Sequence, residues 1–587
     1  MKARMSGEPD PDGTMMLMMI KKEVIMKKKK SNFSDFISLE KGNILLSIIM
    51  LPFFVITGWL IYAEFYNYHE TQRIFMKLDF NSIFRFMMIA SVVCWLWFTY
   101  NHIKKRWYNF LTDGRNYGSD HALTRKEYDE LIGFYSQSDS HKIHVKTLPE
   151  MDWYESNCIP LGKLGKKLIF VPTGGDGYNV IVTGLPSVGK TTAIGIPAAM
   201  QFGYAGINQK TGKPRYKGSV FAIDYKGDLS IKTLPCGRNI KFFEPENPEK
   251  SCHFNPFRGL EEMDTDFQKC LIENLGHVVF PEDKNSKNDS YWRQTGNDLF
   301  CGACFLMLEE NPSVTFPEVI DFLCETNVID LVKKGISSTS DAAKDYLAGY
   351  YKNNEKNLSG AFSAMKNHIK SFRMKSISTL FDGKGDCISI DTLDEGYDVY
   401  IRVSQENKNL FAPVISVITM QFLDGFKSRS EDKKALKKAR PILFLLDELW
   451  AMRLDFSFLA EACSTLRSKK IFIIMLLQGL SQLKDLYGEA GASTILGDCQ
   501  YICSMSVNDL YTRNTMSDLI GSHLLYRESW VVEHQQRKTR SFTEVREKIF
   551  QPEDFGHLND KENDKNFIVI YSFGKYIKAE QCRYYER

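Results

Sequence analysis

The segment Gly184–Thr191 constrains the fold of this 587-residue chain more than any other feature of its sequence. It fits the pattern G-x-x-x-x-G-K-[ST], in which glycines let consecutive backbone N–H groups face phosphates. The apolar run Tyr178–Thr183 indicates a buried strand before it, and helical residues follow, as the pattern requires. We therefore predict an α/β nucleotide-binding core. The predicted nucleotide ligands are Gly184, Leu185, Pro186, Ser187, Val188, Gly189, Lys190, Thr191 and Thr192.

A second segment, Pro441–Glu448, has the pattern of a buried parallel strand that ends in two carboxylates. Together the two segments predict an ATP site with Mg²⁺. Lys190 is expected to bridge the β- and γ-phosphates, and the Thr191 hydroxyl to take one position around the metal. Asp447 fits the Mg²⁺–water position, and Glu448 fits the polarisation of the attacking water.

Two further residues flank the apolar strand Ile471–Leu477. Gln478 follows the strand directly, where a glutamine can sense the γ-phosphate or orient water. Arg467 precedes the strand and is expected to supply charge to a phosphate in a neighbouring subunit, as an arginine finger does. The alternative for Arg467 is an ordinary surface arginine.

The stretch between Lys190 and Asp447 is too long for a minimal P-loop core, so an insertion is expected. Helical periodicity dominates from Gly259 to Lys375, and strand-like character returns at Val399–Val403. The predicted architecture is an α/β core in which 104–258 and 377–587 flank an all-α domain at 259–376. The helices expected there are Asp264–Val279, Ser290–Glu309, Thr315–Leu323, Ser338–Tyr351 and Leu358–Ser376.

Two apolar segments near the N-terminus, Gly42–Ala63 and Phe86–Ile103, predict a transmembrane hairpin over 42–103. Basic residues lie before the first segment, at Lys27–Lys30, and after the second, at Lys104–Arg106. The positive-inside rule then places both termini in the cytoplasm, with 1–41 as a cytoplasmic segment. Two buried core helices are the alternative interpretation. No other stretch of the chain is expected to span a bilayer.

The first 25 residues are predicted to be untranslated leader. The codons of Lys22-Glu23-Val24 allow a purine-rich ribosome-binding sequence at a suitable distance before Met26. We therefore expect translation to start at Met26.

Composition excludes several classes of protein. Lysine and arginine number 75 against 72 aspartates and glutamates, so the net charge of +3 excludes a histone-like polycation. Thirteen scattered cysteines do not form a small disulfide framework and indicate reduced thiols in the cytosol. Cys301 and Cys304 have metal-ligand spacing but lie in an apolar helix, and we interpret them as core cysteines.

Several blocks together resemble the TraG/TraD group of type IV secretion coupling proteins, the membrane-anchored ATPases of bacterial conjugation. The match runs from the two apolar segments to the C-terminus. Asp120 departs from an alanine of the family pattern, and Tyr225 departs from a proline. The blocks that carry the resemblance are Tyr117–Ala122, Asp224–Leu229, Asn255–Phe257, Leu446–Glu448 and Gln478–Leu483.

The resemblance implies a RecA-like core and a homo-hexamer around a central channel in the bacterial inner membrane. It also implies recruitment of a relaxase–DNA complex, the relaxosome, and its delivery to the channel components of the inner membrane. The distances along the chain from Asp447 to Arg467 and to Gln478 suit the positions of the family's arginine finger and sensor glutamine. Three alternatives stay open: a motor for protein effectors, a docking receptor without processive pumping, and a chromosome translocase of the FtsK kind.

Overall fold

The computed structural model describes residues 144–147, 157–164, 167–209, 211–280, 289–351, 355–532, 538–560 and 565–585. The predicted transmembrane hairpin at 42–103 and the segment 1–41 lie outside the described residues. The chain divides into two units. One comprises Met1–Ala122 and His523–Glu547, and the other comprises Leu123–Ser522 and Lys548–Arg587.

The strands follow the chain in this order: β1 His144–Thr147, β2 Cys158–Leu164, β3 Lys167–Pro172, β4 Asn179–Thr183, β5 Tyr204–Ile207, β6 Pro214–Tyr216, β7 Ser219–Asp224, β8 Ile240–Phe243, β9 His253–Phe254, β10 Cys387–Ile388, β11 Asp398–Arg402, β12 Ile442–Leu446, β13 Ile471–Leu477, β14 Tyr501–Ser504, β15 Ser522–Val532, β16 Lys538–Lys548, β17 Asn559–Asp560, β18 Lys565–Ser572 and β19 Lys575–Glu580. In the first unit the described part is a two-stranded sheet of β15 and β16.

A large mixed sheet organises the second unit. Seven adjacent strands in the order β14-β4-β13-β12-β7-β11-β8 run parallel. The sheet then continues from β14 through the antiparallel strands β18, β19, β2, β3 and β1. The central strands β12 and β13 are buried along their whole length, as expected for parallel strands covered on both faces. This is the RecA-like α/β architecture that the sequence predicted.

The α-helices are α1 Ile196–Gln201, α2 Asp228–Thr233, α3 Thr265–Val279, α4 Asp289–Glu310, α5 Phe316–Glu325, α6 Val328–Ser337, α7 Asp341–Leu347, α8 Glu355–Ile369, α9 Lys375–Leu380, α10 Ile390–Glu395, α11 Lys408–Gly425, α12 Lys433–Lys438, α13 Leu449–Met452, α14 Phe456–Thr465, α15 Ser481–Gly497 and α16 Leu510–Ile520. A helical turn, Thr191–Gly195, precedes α1.

The helices α3 to α9 occupy the stretch where the sequence predicted helices. They belong to the same unit as the sheet and share one apolar core cluster with its strands. Helix α6 was not predicted, although asparagine is a favoured residue at the N-cap and Asn327 stands directly before this helix. In the structure Asn327 caps α6 by accepting a hydrogen bond from the Ile329 N–H at 2.9 Å. Cys301 and Cys304 lie fully buried in α4, and burial raises the pKa of both thiols, which confirms their interpretation as core cysteines.

One described helix, Lys408–Ser428, is long and apolar enough to cross a membrane by length and composition alone. Its most apolar window is 67% buried inside the protein, where it packs against helices and strands of the core. A core helix meets the same length and hydropathy criteria as a span, so this helix does not contradict the expectation that no stretch after residue 103 spans a bilayer.

A buried ion pair joins the last two strands of the parallel half, β11 and the edge strand β8. The guanidinium of Arg238, just before β8, forms two hydrogen bonds to Asp398 at the start of β11, one of them 2.9 Å long. The side chains are 1% and 2% exposed. Arg238 also donates to the carbonyl oxygens of Phe202 and Gly218, and Asp398 accepts from the Val220 N–H at 2.8 Å. The pair is thus fully hydrogen bonded, as a buried ion pair must be.

Candidate nucleotide-binding site

The parallel strands bring the predicted residues to one edge of the sheet. Strand β4 lies beside β13, β13 beside β12, and β12 beside β7. All four run in the same direction, so the residues that follow their carboxyl ends meet at this edge. A cavity of about 550 Å³ opens there. Its lining includes Lys190, Thr191, Asp224, Lys226, Asp447, Glu448 and Gln478.

The loop after β4 has the backbone of a phosphate cradle. Ser187 and Gly189 adopt positive φ angles of 65° and 109°. A positive φ turns the peptide planes so that successive N–H groups point to one side, and it is costly for a residue other than glycine. The Lys190 ammonium donates to the carbonyl oxygens of Gly184 at 2.6 Å and Leu185 at 3.0 Å. Burial lowers the pKa of Lys190 to about 8, although Asp447 and Glu448 oppose the shift.

Asp447 lies at the bottom of the cavity and contacts the phosphate loop. It accepts hydrogen bonds from the Thr191 hydroxyl at 3.2 Å and from the Glu448 N–H at 3.0 Å. Burial, with a further contribution from Glu448, raises the pKa of this carboxyl to about 6, while Lys190 and Thr191 act in the opposite direction. A half-buried carboxylate and a hydroxyl at hydrogen-bond distance suit a hard divalent cation, which would compensate the charge of the carboxylate.

These two oxygens fit Mg²⁺, which commonly takes few protein ligands and completes its shell with phosphates and water. Consistent with so sparse a site, the described residues hold no group of three or more histidine, cysteine, aspartate or glutamate side chains suited to a metal.

Glu448 has a strained backbone at the position predicted for the catalytic base. Its φ and ψ of 50° and 48° lie in the left-handed region, which costs a non-glycine residue about 1–3 kcal/mol. Such strain persists where the surrounding structure holds it, and it concentrates at functional sites. The Glu448 carboxylate is 20% exposed and forms a salt bridge with Lys408, whose Nζ lies 2.5 Å from its Oε2.

Gln478 lies at the cavity as predicted, whereas Arg467, which was predicted to act in a neighbouring subunit, lies away from the cavity of its own chain. The Gln478 N–H donates to the side chain of Gln482 at 2.9 Å. Arg467 lies at the other end of β13, where its carbonyl oxygen accepts from the Gly177 N–H at 2.7 Å. A seven-residue strand is about 23 Å long. Within one chain, therefore, Arg467 cannot reach a phosphate in this cavity.

The cavity is also lined by Lys408, Gln405 and Trp450, none of which was predicted from the sequence. Lys408 and Gln405 could have been predicted, because both follow β11, a parallel strand whose carboxyl end must lie at the same edge of the sheet. Tyr225 was noted only as a departure from the family pattern. Its buried hydroxyl has no hydrogen-bond partner among the residues that the structure describes, and burial, with Glu448 and Asp447 nearby, raises its pKa.

The C-terminal segment after β19 is a second feature that the sequence did not reveal. The Tyr584 N–H donates to the Thr192 carbonyl oxygen at 3.1 Å. The side chain of Gln581 lies so close to the phosphate loop that a Cβ on Gly189 would fall 2.8 Å from its Oε1. A residue larger than glycine at this point would therefore displace the Gln581 side-chain amide, in addition to straining the positive φ.

Comparisons with known proteins agree with this geometry. The family described as type IV secretory system conjugative DNA transfer matches residues 154–587. VirD4 of Agrobacterium fabrum and VirD4 of Rhizobium rhizogenes are each 21% identical over 430 residues, 70% of this chain and 59% of theirs. The match thus spans about three fifths of the length of these relatives.

Solved structures of the conjugative coupling protein TrwB share the fold. An unbound form has a TM-score of 0.52 at 18% identity and covers 75% of this chain and 90% of its own. A complex of TrwB with the non-hydrolysable ATP analogue ADPNP has a TM-score of 0.51 at 19% identity, covering 74% and 90%. A complex with ADP and Mg²⁺ has a TM-score of 0.50 at 19% identity, covering 70% and 85%.

Proposed function

This chain belongs to the type IV secretory family for conjugative DNA transfer, as a coupling protein of the TraG/TraD/VirD4 kind, and we propose that it is the ATPase motor of that transfer. One observation carries the proposal: a phosphate loop, an aspartate, a glutamate and a glutamine line the same cavity. A chain that served only as a scaffold has no need to keep a strained glutamate at such a cavity.

Each residue at the cavity has a proposed part in ATP hydrolysis. The backbone N–H groups within Gly184–Thr192, apart from Pro186, which has none, and the Lys190 ammonium bind the phosphates. Thr191 and Asp447 hold Mg²⁺, which neutralises charge on the β- and γ-phosphates when bound. Glu448 accepts the proton of the attacking water, and Gln478 orients that water or senses the γ-phosphate.

We propose that the working form is a homo-hexamer around a channel, because Arg467 lies too far from the cavity of its own chain. Arg467 sits beyond the opposite end of β13, about 23 Å from the edge that carries Gln478. In a ring, the corresponding residue of a neighbouring copy can approach the phosphates, as arginine fingers do. Arg467 then stabilises charge in the transition state in trans.

The proposed cargo is DNA with its attached relaxase, delivered to channel components of the type IV secretion system in the inner membrane. The segment 42–103 anchors the motor as a hairpin with both termini in the cytoplasm. The all-α stretch 259–376 is the proposed contact for the relaxosome. The net charge of +3 is too small for bulk attraction of DNA, so a local surface has to bind it.

The test is ATP hydrolysis by the full-length protein in detergent, with and without single-stranded or G-quadruplex DNA. We expect DNA to stimulate hydrolysis, and we expect Lys190→Ala to abolish both the basal and the stimulated rate. Hydrolysis that is lost in Lys190→Ala but does not respond to DNA would favour a motor for protein effectors. Absence of hydrolysis together with retained nucleotide binding would favour a docking receptor.

A further inference from the structure

The cavity contains a salt bridge that occupies the proposed catalytic base. Lys408 Nζ lies 2.5 Å from Glu448 Oε2, and the two side chains are 22% and 20% exposed. Both line the nucleotide cavity together with Lys190 and Gln478. An ammonium at this distance neutralises the carboxylate and occupies the oxygen that would accept a proton from water. Glu448 therefore has to lose this partner before it can act.

The backbone at Lys408 is held firmly, so a change of partner has to come from its side chain. Glu246 accepts a hydrogen bond from the Ser404 N–H at 3.0 Å, another from the Ser404 hydroxyl at 2.6 Å and a third from Asn407 at 2.5 Å. These bonds fix the turn before α11, which begins at Lys408 and runs into the buried core. The long lysine side chain extends from this fixed point into the cavity, where its rotamers give the ammonium a range of positions.

A bound γ-phosphate is the group that can compete for this ammonium. It brings more negative charge than one carboxylate and three acceptor oxygens, whereas ADP brings no such group to this end of the site. The Lys190 ammonium, by contrast, is held by the carbonyl oxygens of Gly184 and Leu185 in its own loop. In the structure, therefore, Lys190 contacts carbonyl oxygens of the phosphate loop, whereas Lys408 contacts the proposed base, Glu448.

We propose that Lys408 exchanges Glu448 for the γ-phosphate when ATP binds and thereby frees Glu448 for the attacking water. This inference rests on the proposed ATPase function of the same cavity. It makes Lys408 a sensor that couples recognition of the triphosphate to release of the base. With ADP the salt bridge stays closed. A structural salt bridge that merely stabilises the fold is the competing explanation.

The test measures binding of ADPNP and of ADP separately, by calorimetry on the full-length protein in detergent with Mg²⁺. The variants are Lys408→Met, Lys408→Arg and Lys190→Ala, with Lys437→Met on the exposed helix α12 as the matched control. Hydrogen bonds to charged groups commonly change affinity about 10-fold or more. We expect Lys408→Met to weaken ADPNP binding by about that factor and to leave ADP binding within about 2-fold. Lys408→Arg should restore part of the loss, and Lys437→Met should change neither affinity.

A second background sharpens the result. Glu448→Gln removes the charge that holds the lysine, so ADPNP should bind more tightly to this variant, and the gain should vanish in Lys408→Met/Glu448→Gln. Equal weakening of ADPNP and ADP in Lys408→Met would establish the structural explanation and overturn the exchange. Unchanged binding of both nucleotides would overturn it as well. Two results would overturn the ATPase proposal and this inference together. One is wild-type protein that binds neither nucleotide, and the other is a Lys190→Ala variant with the same nucleotide affinity as the wild type.

Discussion

The buried pair of Arg238 and Asp398 gives the sharpest stability prediction. We consider Asp398→Asn, which keeps the size of the side chain and removes its charge. Arg238 is then left at 1% exposure without a counter-ion, although it still donates to the carbonyl oxygens of Phe202 and Gly218. Burial works against the charge on Arg238, and Asp398 outweighs this effect and raises the pKa of the guanidinium. The arginine cannot shed its proton, so the variant has to bury an uncompensated cation.

Removing one partner of a buried pair costs about 3–5 kcal/mol, mainly through the charge that stays behind. Unfolding entropy is about 2.1 cal/mol/K per residue, so a unit of roughly 400 residues loses about 1.2 °C for each kcal/mol. We therefore expect the melting temperature of Asp398→Asn to fall by about 4–6 °C. The exposed pair of Arg258 and Asp391, with side chains 53% and 60% exposed, provides the control. Asp391→Asn should cost under about 1 kcal/mol, or about 1 °C at most.

The measurement is thermal unfolding of each purified full-length variant, followed by circular dichroism at a fixed scan rate. The double variant Arg238→Met/Asp398→Asn removes the stranded charge and should melt above Asp398→Asn, because a neutral pair has no uncompensated ion. Two results would refute the reasoning. One is a loss in Asp398→Asn no larger than that in Asp391→Asn. The other is a double variant that melts below Asp398→Asn.

Four further changes test the site and the core. Lys190→Ala should abolish hydrolysis and conjugative transfer without altering membrane insertion, and normal transfer measured in mating assays would refute the motor. Glu448→Gln should retain ATP in a binding assay and fail to release phosphate, since the proton acceptor is gone. Arg467→Ala should lose hydrolysis, and mixing it with Lys190→Ala should restore part of the rate if the arginine acts in trans; no recovery indicates a structural role in its own chain. Phe381→Ala, at a fully buried position, should destabilise the protein by about 3–5 kcal/mol in urea titrations, and a cost below 1 kcal/mol would contradict its core position.

Much of the site could be predicted because its residues follow local patterns. A buried apolar run before Gly184 and another before Asp447 indicate strands, and strands of this kind run parallel with their carboxyl ends at one edge. The phosphate loop and the acidic pair therefore meet without any knowledge of the strand order. The helices α3 to α5 were predictable for a similar reason, because their apolar residues recur with the helical period.

The contacts that sequence could not supply depend on which elements become neighbours. Lys408 meets Glu448 because β11 lies next to β7, which lies next to β12, and no local pattern fixes that order. The contact of Tyr584 with Thr192 depends in the same way on the return of the chain through β18 and β19. The buried pair of Arg238 and Asp398 joins the neighbouring strands β8 and β11, which are far apart in sequence, and net charge gives no hint of it.

Arg467 illustrates a different limit. The sequence predicted that Arg467 acts on a phosphate of a neighbouring subunit, and the single chain holds this residue beside Gly177, beyond the amino end of β13. The same parallel arrangement that gathers Asp447 and Gln478 at one edge necessarily carries a residue before the strand to the opposite edge. A residue with that position can reach a phosphate only in another copy of the chain. In the proposed assembly, Arg467 of a neighbouring copy completes the site, and subunit mixing is the experiment that separates this arrangement from a site built within one chain.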